Sequence, residues 1–283
     1  MSTPESNIQA LIRLLAEDNP EIIEVARVKL VELGEQAIPL LERAMAEDED
    51  SKVRVEAKGV LERIRLAQIG KQWEQTAALP DEKMDLESGA FLLAKVSYPD
   101  LDPTPYQQKL DQLADRARPQ LAAASSDKDK LVVLNQVLFK DERFRGDWNN
   151  YFDPQNSYLN RVMDRKLGIP ISLAVLYLLV AQRLKIPIQG AGIPGHFMVK
   201  YKDAKTEFFI DAFNEGRFLS RPECVQFIVE AGYPYQADFL DGVGPREILA
   251  RMLRNLILIY VDRHEQTLER TLTQFLDLLY PNS

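Results

Sequence analysis

GIPISLAVLYLLVAQRLKIPIQGAGIPGHFMVKYKDAKTEFFIDAF, residues 168–213, decides the fold. Its first part, Ile171–Leu184, is almost wholly apolar and follows Pro170, a residue suited to a first helical turn. A helix apolar all round has no face to give to water, so this one is predicted to lie at the centre of a core. After Pro187 the period changes. IQGAGI (188–193), HFMVKYK (196–202) and TEFFIDAF (206–213) are short, rich in aromatic and branched residues, and bounded by Gly, Pro and Asp. Those are strand signals. One buried helix followed by three strands predicts an antiparallel sheet wrapped on that helix. The fold class is α+β and mostly helical.

Helical spacing continues on both sides. Downstream of 245, Ile248, Met252, Leu253, Leu256, Ile259 and Tyr260 form one apolar face. Leu268, Leu272, Phe275, Leu276 and Leu279 form a second, and together they predict a C-terminal hairpin of the size of one TPR unit. Upstream, Leu86–Val96, Tyr106–Leu121 and Lys128–Phe139 show helical spacing. FRGDWNNYFDPQN (144–156) is dense in Asp, Asn, Gly and Pro and reads as a loop, and Ser157–Leu167 as a short helix stopped by Gly168.

Residues 6–69 repeat themselves. LLAEDNP (14–20) resembles AMAEDED (44–50), and Ala26, Leu30 and Leu33 match Ala57, Leu61 and Ile64. Such recurrence is the mark of stacked helix–turn–helix units. The stretch 34–64, with its Ala-Ile-Pro helix start and acidic turn, resembles a HEAT repeat. Residues 71–85, polar around Trp73 and Pro80, read as a linker. The expected division is therefore 1–70 for the helical repeats, 71–85 for the linker, 86–244 for the core and 245–283 for the hairpin.

Composition excludes several functions. The chain has 283 residues, 35 basic and 43 acidic, for a net charge of −8. Nucleic acid is not an expected partner, because phosphate binding needs a dense basic surface. Cys224 is the only cysteine, and His196 and His264 are the only histidines. Neither a disulfide nor a metal site is expected from that set. Gly190, Gly192 and Gly195 precede a strand rather than a helix, so no phosphate loop is read and no cofactor is expected. The N-terminus lacks the pattern of a signal peptide. The apolar run at 171–184 is too short to span a bilayer, and a cytoplasmic location is expected.

One constellation could carry chemistry. His196 opens one strand and Asp211 ends the next, an arrangement in which the carboxylate can orient the imidazole. The buried helix starts just upstream, and a nucleophile there would gain from the helix dipole. The order of helix-start nucleophile, His, then Asp is that of papain-type enzymes. The same pair also reads as purely structural, and Ser172 also reads as a helix-capping group. Asp153, Asn156, Ser157, Asn160 and Arg161 form a polar run before the helix. It reads either as a capped loop, with Asn156 or Ser157 as cap and Arg161 paired to Asp164, or as the lining of a binding cleft.

DPQNSYLNRVMDRKLGIPISLAVLYLLVAQRLKIPIQGAGIPGHFMVKY (153–201), followed by FFIDAFNEG (208–216), resembles the SirB-type branch of the transglutaminase-like superfamily. The resemblance implies a papain-like core, a helix packed on an antiparallel sheet, with a TPR-like tail. It also implies a cysteine at the start of the buried helix. In this register that position falls near Pro170 or Ser172. Cys224 follows Asp211 in the chain and reads as a packed free thiol. The leading expectation is a non-catalytic protein that binds protein partners through its cleft and repeats. The alternatives are a hydrolase or acyl-transfer enzyme using Ser172, His196 and Asp211, and an inert helical scaffold.

Overall fold

The computed structural model describes residues 4–281. They form two compact units, divided between Gln72 and Trp73.

The first unit contains α1 (Pro4–Leu14), α2 (Pro20–Leu33), α3 (Ile38–Glu47) and most of α4 (Ser51–Ala77). Asn19 caps α2 by accepting the Glu21 N–H at 2.9 Å, with Pro20 in the first turn. Gly34 ends α2 at φ +56°, where a side chain would be strained. Ala26 and Leu30 of α2 and Ala57, Leu61 and Ile64 of α4 all lie in one core. The recurring residues of the sequence are thus the inward stripe of each second helix. Arg27–Glu56 at 2.6 Å and Arg63–Glu24 at 3.0 Å tie α2 to α4 across its outer rim.

The second unit opens with a departure from the expected linker. Residues 71–77 continue α4, and a short 3-10 turn, Asp81–Lys83, follows. Trp73 is fully buried; its indole N–H donates to the Phe275 carbonyl at 2.9 Å, and its ring stacks on Phe275 with centroids 5.0 Å apart. The polar residues that suggested a linker are the wet side of a helix anchored by one aromatic.

The helices α5 (Leu86–Lys95), α6 (Thr104–Leu121) and α7 (Asp127–Asn135) follow, the last running into a π-helical turn, Gln136–Asp141. Then come β1 (Arg145–Gly146), α8 (Leu159–Arg165), β2 (Leu167–Gly168) and α9 (Pro170–Arg183). β1 and β2 form a two-residue parallel pair. The main sheet is β3 (Ile188–Ala191), β4 (Met198–Lys202), β5 (Glu207–Asp211) and β6 (Arg217–Leu219), antiparallel and in chain order. The three predicted strands thus gain a fourth, too short to carry a readable alternation. Last are α10 (Arg221–Glu230), α11 (Pro245–Asp262) and α12 (Gln266–Leu279).

Every residue of α9 from Pro170 to Ala181 is buried. The helix packs against β3 and β4 and against α5, α6, α8 and α11. Arg183 ends it and is held by Glu87 and Asp111, each at 2.6 Å. Because α11 packs on α5 and α9 as well as on α12, the C-terminal hairpin is built into this unit rather than appended to it. Ser97, Tyr158 and Tyr260 close a triangle of hydroxyls with sides of 2.7, 2.8 and 3.1 Å. No helix among the described residues is long and apolar enough to cross a membrane.

Leu176 lies within this apolar cylinder, almost wholly buried. Leu176→Ala is expected to cost about 2–5 kcal/mol of stability in urea melts, the range for a buried leucine whose cavity cannot fully collapse. A loss under about 1 kcal/mol would contradict the central role of α9.

Candidate functional site

The sheet register brings the predicted histidine and aspartate together. Val199 pairs with Ile210, so Met198 falls opposite Asp211 when the ladder is continued. His196 lies two residues before Met198, a diagonal position within reach across antiparallel strands. The bend between them starts at Gly195, whose φ is +73°, and is closed by the His196 N–H donating to Ile193 at 3.0 Å. His196 Nε2 then lies 3.0 Å from Asp211 Oδ1. The contact is close but not aligned as a hydrogen bond along the ring N–H.

Asp211 is held from its other sides. Oδ1 accepts the backbone N–H groups of Phe213 and Asn214 at 3.1 and 3.2 Å, and Oδ2 accepts the Asn214 side-chain amide at 2.7 Å. Burial pushes its pKa upward, but the His196 contact and the Asn214 donors outweigh burial, and the carboxyl sits below its ordinary value. The carboxylate is therefore the stable form at neutral pH.

Aromatic rings surround the imidazole. Phe227 of α10 lies 5.3 Å away and Phe213 lies 6.1 Å away, edge-on. Trp148 packs on Phe213 at 4.5 Å and Tyr151 at 6.0 Å. Gly146 permits this, since a Cβ there would come within 2.5 Å of the Phe213 ring. Trp148 and Phe152 are each 69% exposed, an unusual state for two large rings of one loop. Arg251 of α11 completes the rim, donating to the His196 carbonyl at 3.3 Å. Its guanidinium is half-buried, and burial draws its pKa below the usual arginine range.

The start of α9 is built differently from a nucleophile elbow. Pro170 occupies the first turn, where it has neither N–H nor reactive side chain. Ser172 is fully buried. Its hydroxyl donates to the Asn156 carbonyl at 2.5 Å and accepts the Ile169 N–H at 3.0 Å. The side chain thus clamps the preceding loop onto the helix, and its bonds go to Asn156 and Ile169 rather than to His196.

The polar run before α9 divides in two. Asp153 caps the 3-10 turn Pro154–Asn156, accepting the Gln155 N–H at 3.0 Å, and pairs with Arg165 at 3.1 Å. Asn156 is wholly buried; it donates to Asp147 and Asn150 and accepts from Arg165 at 3.1 Å. Arg161 bonds Gln155 and, at 3.3 Å, Asp164. These residues brace loop 147–156. Ser157 does not cap α8; Tyr158 holds that position without a side-chain bond. Ser157 Oγ and Asn160 Oδ1 are buried with no hydrogen-bond partner among the described residues.

Cys224 lies on α10 in a core with Met198, Phe209, Leu219 and Ile228. Its sulfur is 3.9 Å from Met198 Sδ, and burial pushes its thiol up to about 12. A cavity of about 550 Å³, lined among others by Met84, Leu178, Gln182, Gln189 and Ile248, contains neither His196 nor Asp211. Among the described residues no cluster of three His, Cys, Asp or Glu could hold a metal.

Sequence reasoning passed over Trp148, Tyr151, Phe152, Phe213 and Arg251. The first three carried a signal, since three aromatics in a polar loop have little reason to be there unless they pack or bind. Arg251 carried none, being one charge on an amphipathic helix.

A helix on a small antiparallel sheet, with histidine entering one strand and aspartate ending the next, defines a papain-like class. The chain belongs to the transglutaminase-like superfamily, whose sequence profile matches residues 104–254. Similar proteins include a UPF0162 protein of Xylella fastidiosa (strain Temecula1), 36% identical over 200 residues that cover 67% of this chain and 70% of the relative. A UPF0162 protein of Pseudomonas aeruginosa is 29% identical over 184 residues, 63% of this chain and 66% of that one. F-box only protein 21 of Mus musculus is 31% identical over 164 residues, 54% of this chain but 26% of its own. No solved structure matches.

Two outcomes follow from the charges. The native Asp211 carboxyl holds its proton less tightly than the unfolded chain's, whose value is roughly 3.9. Its stabilisation is therefore full above that value and is lost as pH falls through the lower native one. The stability gap between wild type and Asp211→Asn should be widest near neutral pH and narrow below about pH 4. A gap that does not change with pH would remove the carboxylate charge from the account. For Cys224, iodoacetamide should modify the native thiol far more slowly than the urea-unfolded one; equal rates would refute its burial.

Proposed function

We propose that this chain is a non-catalytic transglutaminase-like protein of the SirB-type branch, with HEAT-like hairpins in front, that engages a protein segment through the cleft beside His196. The observation that carries this reading is the pairing of an inert helix start with an open aromatic mouth. The family's cysteine is expected near Pro170 or Ser172; Pro170 has no reactive side chain, and the Ser172 hydroxyl is committed to the loop. Beside it, Trp148 and Phe152 offer apolar rings to solvent next to a fixed His–Asp pair. Exposed aromatics of this kind are the usual anchors of protein recognition. The mouse F-box relative supports a modular role, since the matched stretch is only 26% of its length. A cytoplasmic location and a protein partner belong to this reading.

The second reading, serine-based hydrolysis or acyl transfer by Ser172, His196 and Asp211, is favoured only by the His196–Asp211 approach. The two are separated by one set of variants. Wild type, Ser172→Ala, His196→Ala and Cys224→Ser are screened for amine incorporation and for ester and amide hydrolysis. None should turn over substrate above the buffer rate. Trp148→Ala and Phe152→Ala should instead weaken binding to an array of immobilised peptides. Turnover lost in both Ser172→Ala and His196→Ala but kept in Cys224→Ser would establish the enzyme and end the binding-only reading.

A further inference from the structure

Beside His196 stands a cation with no ion-pair partner of its own among the described residues. Arg251 has one side-chain hydrogen bond among the described residues, to the His196 carbonyl, and no ion pair. Glu247, one turn away on α11, is committed to Arg254 at 2.6 Å and to the Tyr280 hydroxyl. The Asp211 carboxylate is committed to His196 and Asn214. The groups that act on the guanidinium are the phenols of Tyr151 and Tyr233, the Arg254 cation and Glu247. A half-buried guanidinium in such a place lacks the partner that normally offsets its desolvation.

We propose that Arg251 anchors the side-chain carboxylate of a glutamate or aspartate within a peptide segment lying across Trp148, Tyr151, Phe152 and Tyr233. This rests on the cleft-binding reading above and names the chemistry of its partner. Charge complementarity chooses the anion. One available guanidinium, with Arg254 already paired, matches the single charge of a carboxylate, which it can grip bidentately. A phosphate would carry up to two charges and call for further cations. The geometry favours an internal residue over a chain end. The rings come from two separate elements: Tyr151, in loop 147–153, packs edge-on to Phe213, and Tyr233, in the turn after α10, lies over Gly195 next to the His196 carbonyl that Arg251 bonds. Rings contributed from both suit a segment that runs through rather than one that stops.

The test uses the full chain on an array of short randomised peptides in three series: internal Glu or Asp, internal Gln or Asn with a free C-terminus, and internal phosphoserine. Affinities of the strongest binders are then measured by fluorescence anisotropy. Wild type should prefer the Glu/Asp series by about tenfold, the factor for one charge-assisted hydrogen-bonded contact. Arg251→Gln should bind the Glu/Asp and Gln/Asn series equally, and Arg251→Lys should recover part of the preference. Arg263→Gln, an exposed site with the same change in net charge, should behave as wild type. A Glu/Asp preference that survives in Arg251→Gln, or a wild type that favours free C-termini or phosphoserine, overturns the assignment while leaving the cleft reading standing. A wild type that binds no peptide in any series overturns both.

Discussion

A helix with no polar face must be covered on every side, and α9 imposes that constraint on the whole second unit. Its sheet, its four flanking helices and the loop before it are each a piece of the cover. The cover cannot close at the N-terminal end, because a helix start leaves backbone donors that need partners. Here the unit spends a proline, which has no donor to satisfy, and a serine, whose hydroxyl takes up the Ile169 N–H and grips the Asn156 carbonyl. That grip fixes loop 147–156, Arg165 braces it, and the loop presents Trp148 and Phe152. The mouth of the cleft thus follows from how the buried helix is finished.

The same end of the helix separates architecture from chemistry. A transglutaminase-like frame keeps a histidine and an ionised aspartate together because the strand register does so and because Asn214 and two backbone amides hold the carboxylate. Those contacts stabilise the end of β5 and the turn into β6 with or without a reaction. A thiol nucleophile needs more: a low pKa, access, and a place at the helix start. The one thiol is on the buried face of α10 among methionine, leucine and phenylalanine, where its charged form is penalised. Frame and nucleophile are thus set by different things, the one by strand register and the other by a side chain's place and surroundings.

What could be read from the residues depended on how local the signal was. The buried helix is legible because twelve successive residues ignore helical amphipathicity, and the His196–Asp211 approach because two short consecutive strands, joined by a tight turn, leave few antiparallel registers. The repeats of the first unit were legible because Ala26 and Leu30 recur as Ala57 and Leu61 on the same inward stripe. Trp73 misled, since its packing partner, Phe275, lies at the other end of the chain and no local pattern reveals it. β6 was missed because three residues cannot display a period. Neither Asn156 nor Ser157, the two caps the sequence offers, caps α8, because the chain enters the helix one residue later, at Tyr158. Arg251 is not legible because its contact, the His196 carbonyl, lies 55 residues away in the chain.

The triangle of Ser97, Tyr158 and Tyr260 joins the end of α5, the entry to α8 and the far end of α11. Each hydroxyl can give one proton and receive another, so the ring can circulate in either of two senses. Both senses satisfy all three oxygens, and the clasp therefore holds without choosing between them. Burial raises the Tyr158 phenol far above its ordinary value, so this member keeps its proton in mild alkali. Three distant segments are thus fastened by a knot that carries no net charge, needs no counter-ion and is indifferent to salt.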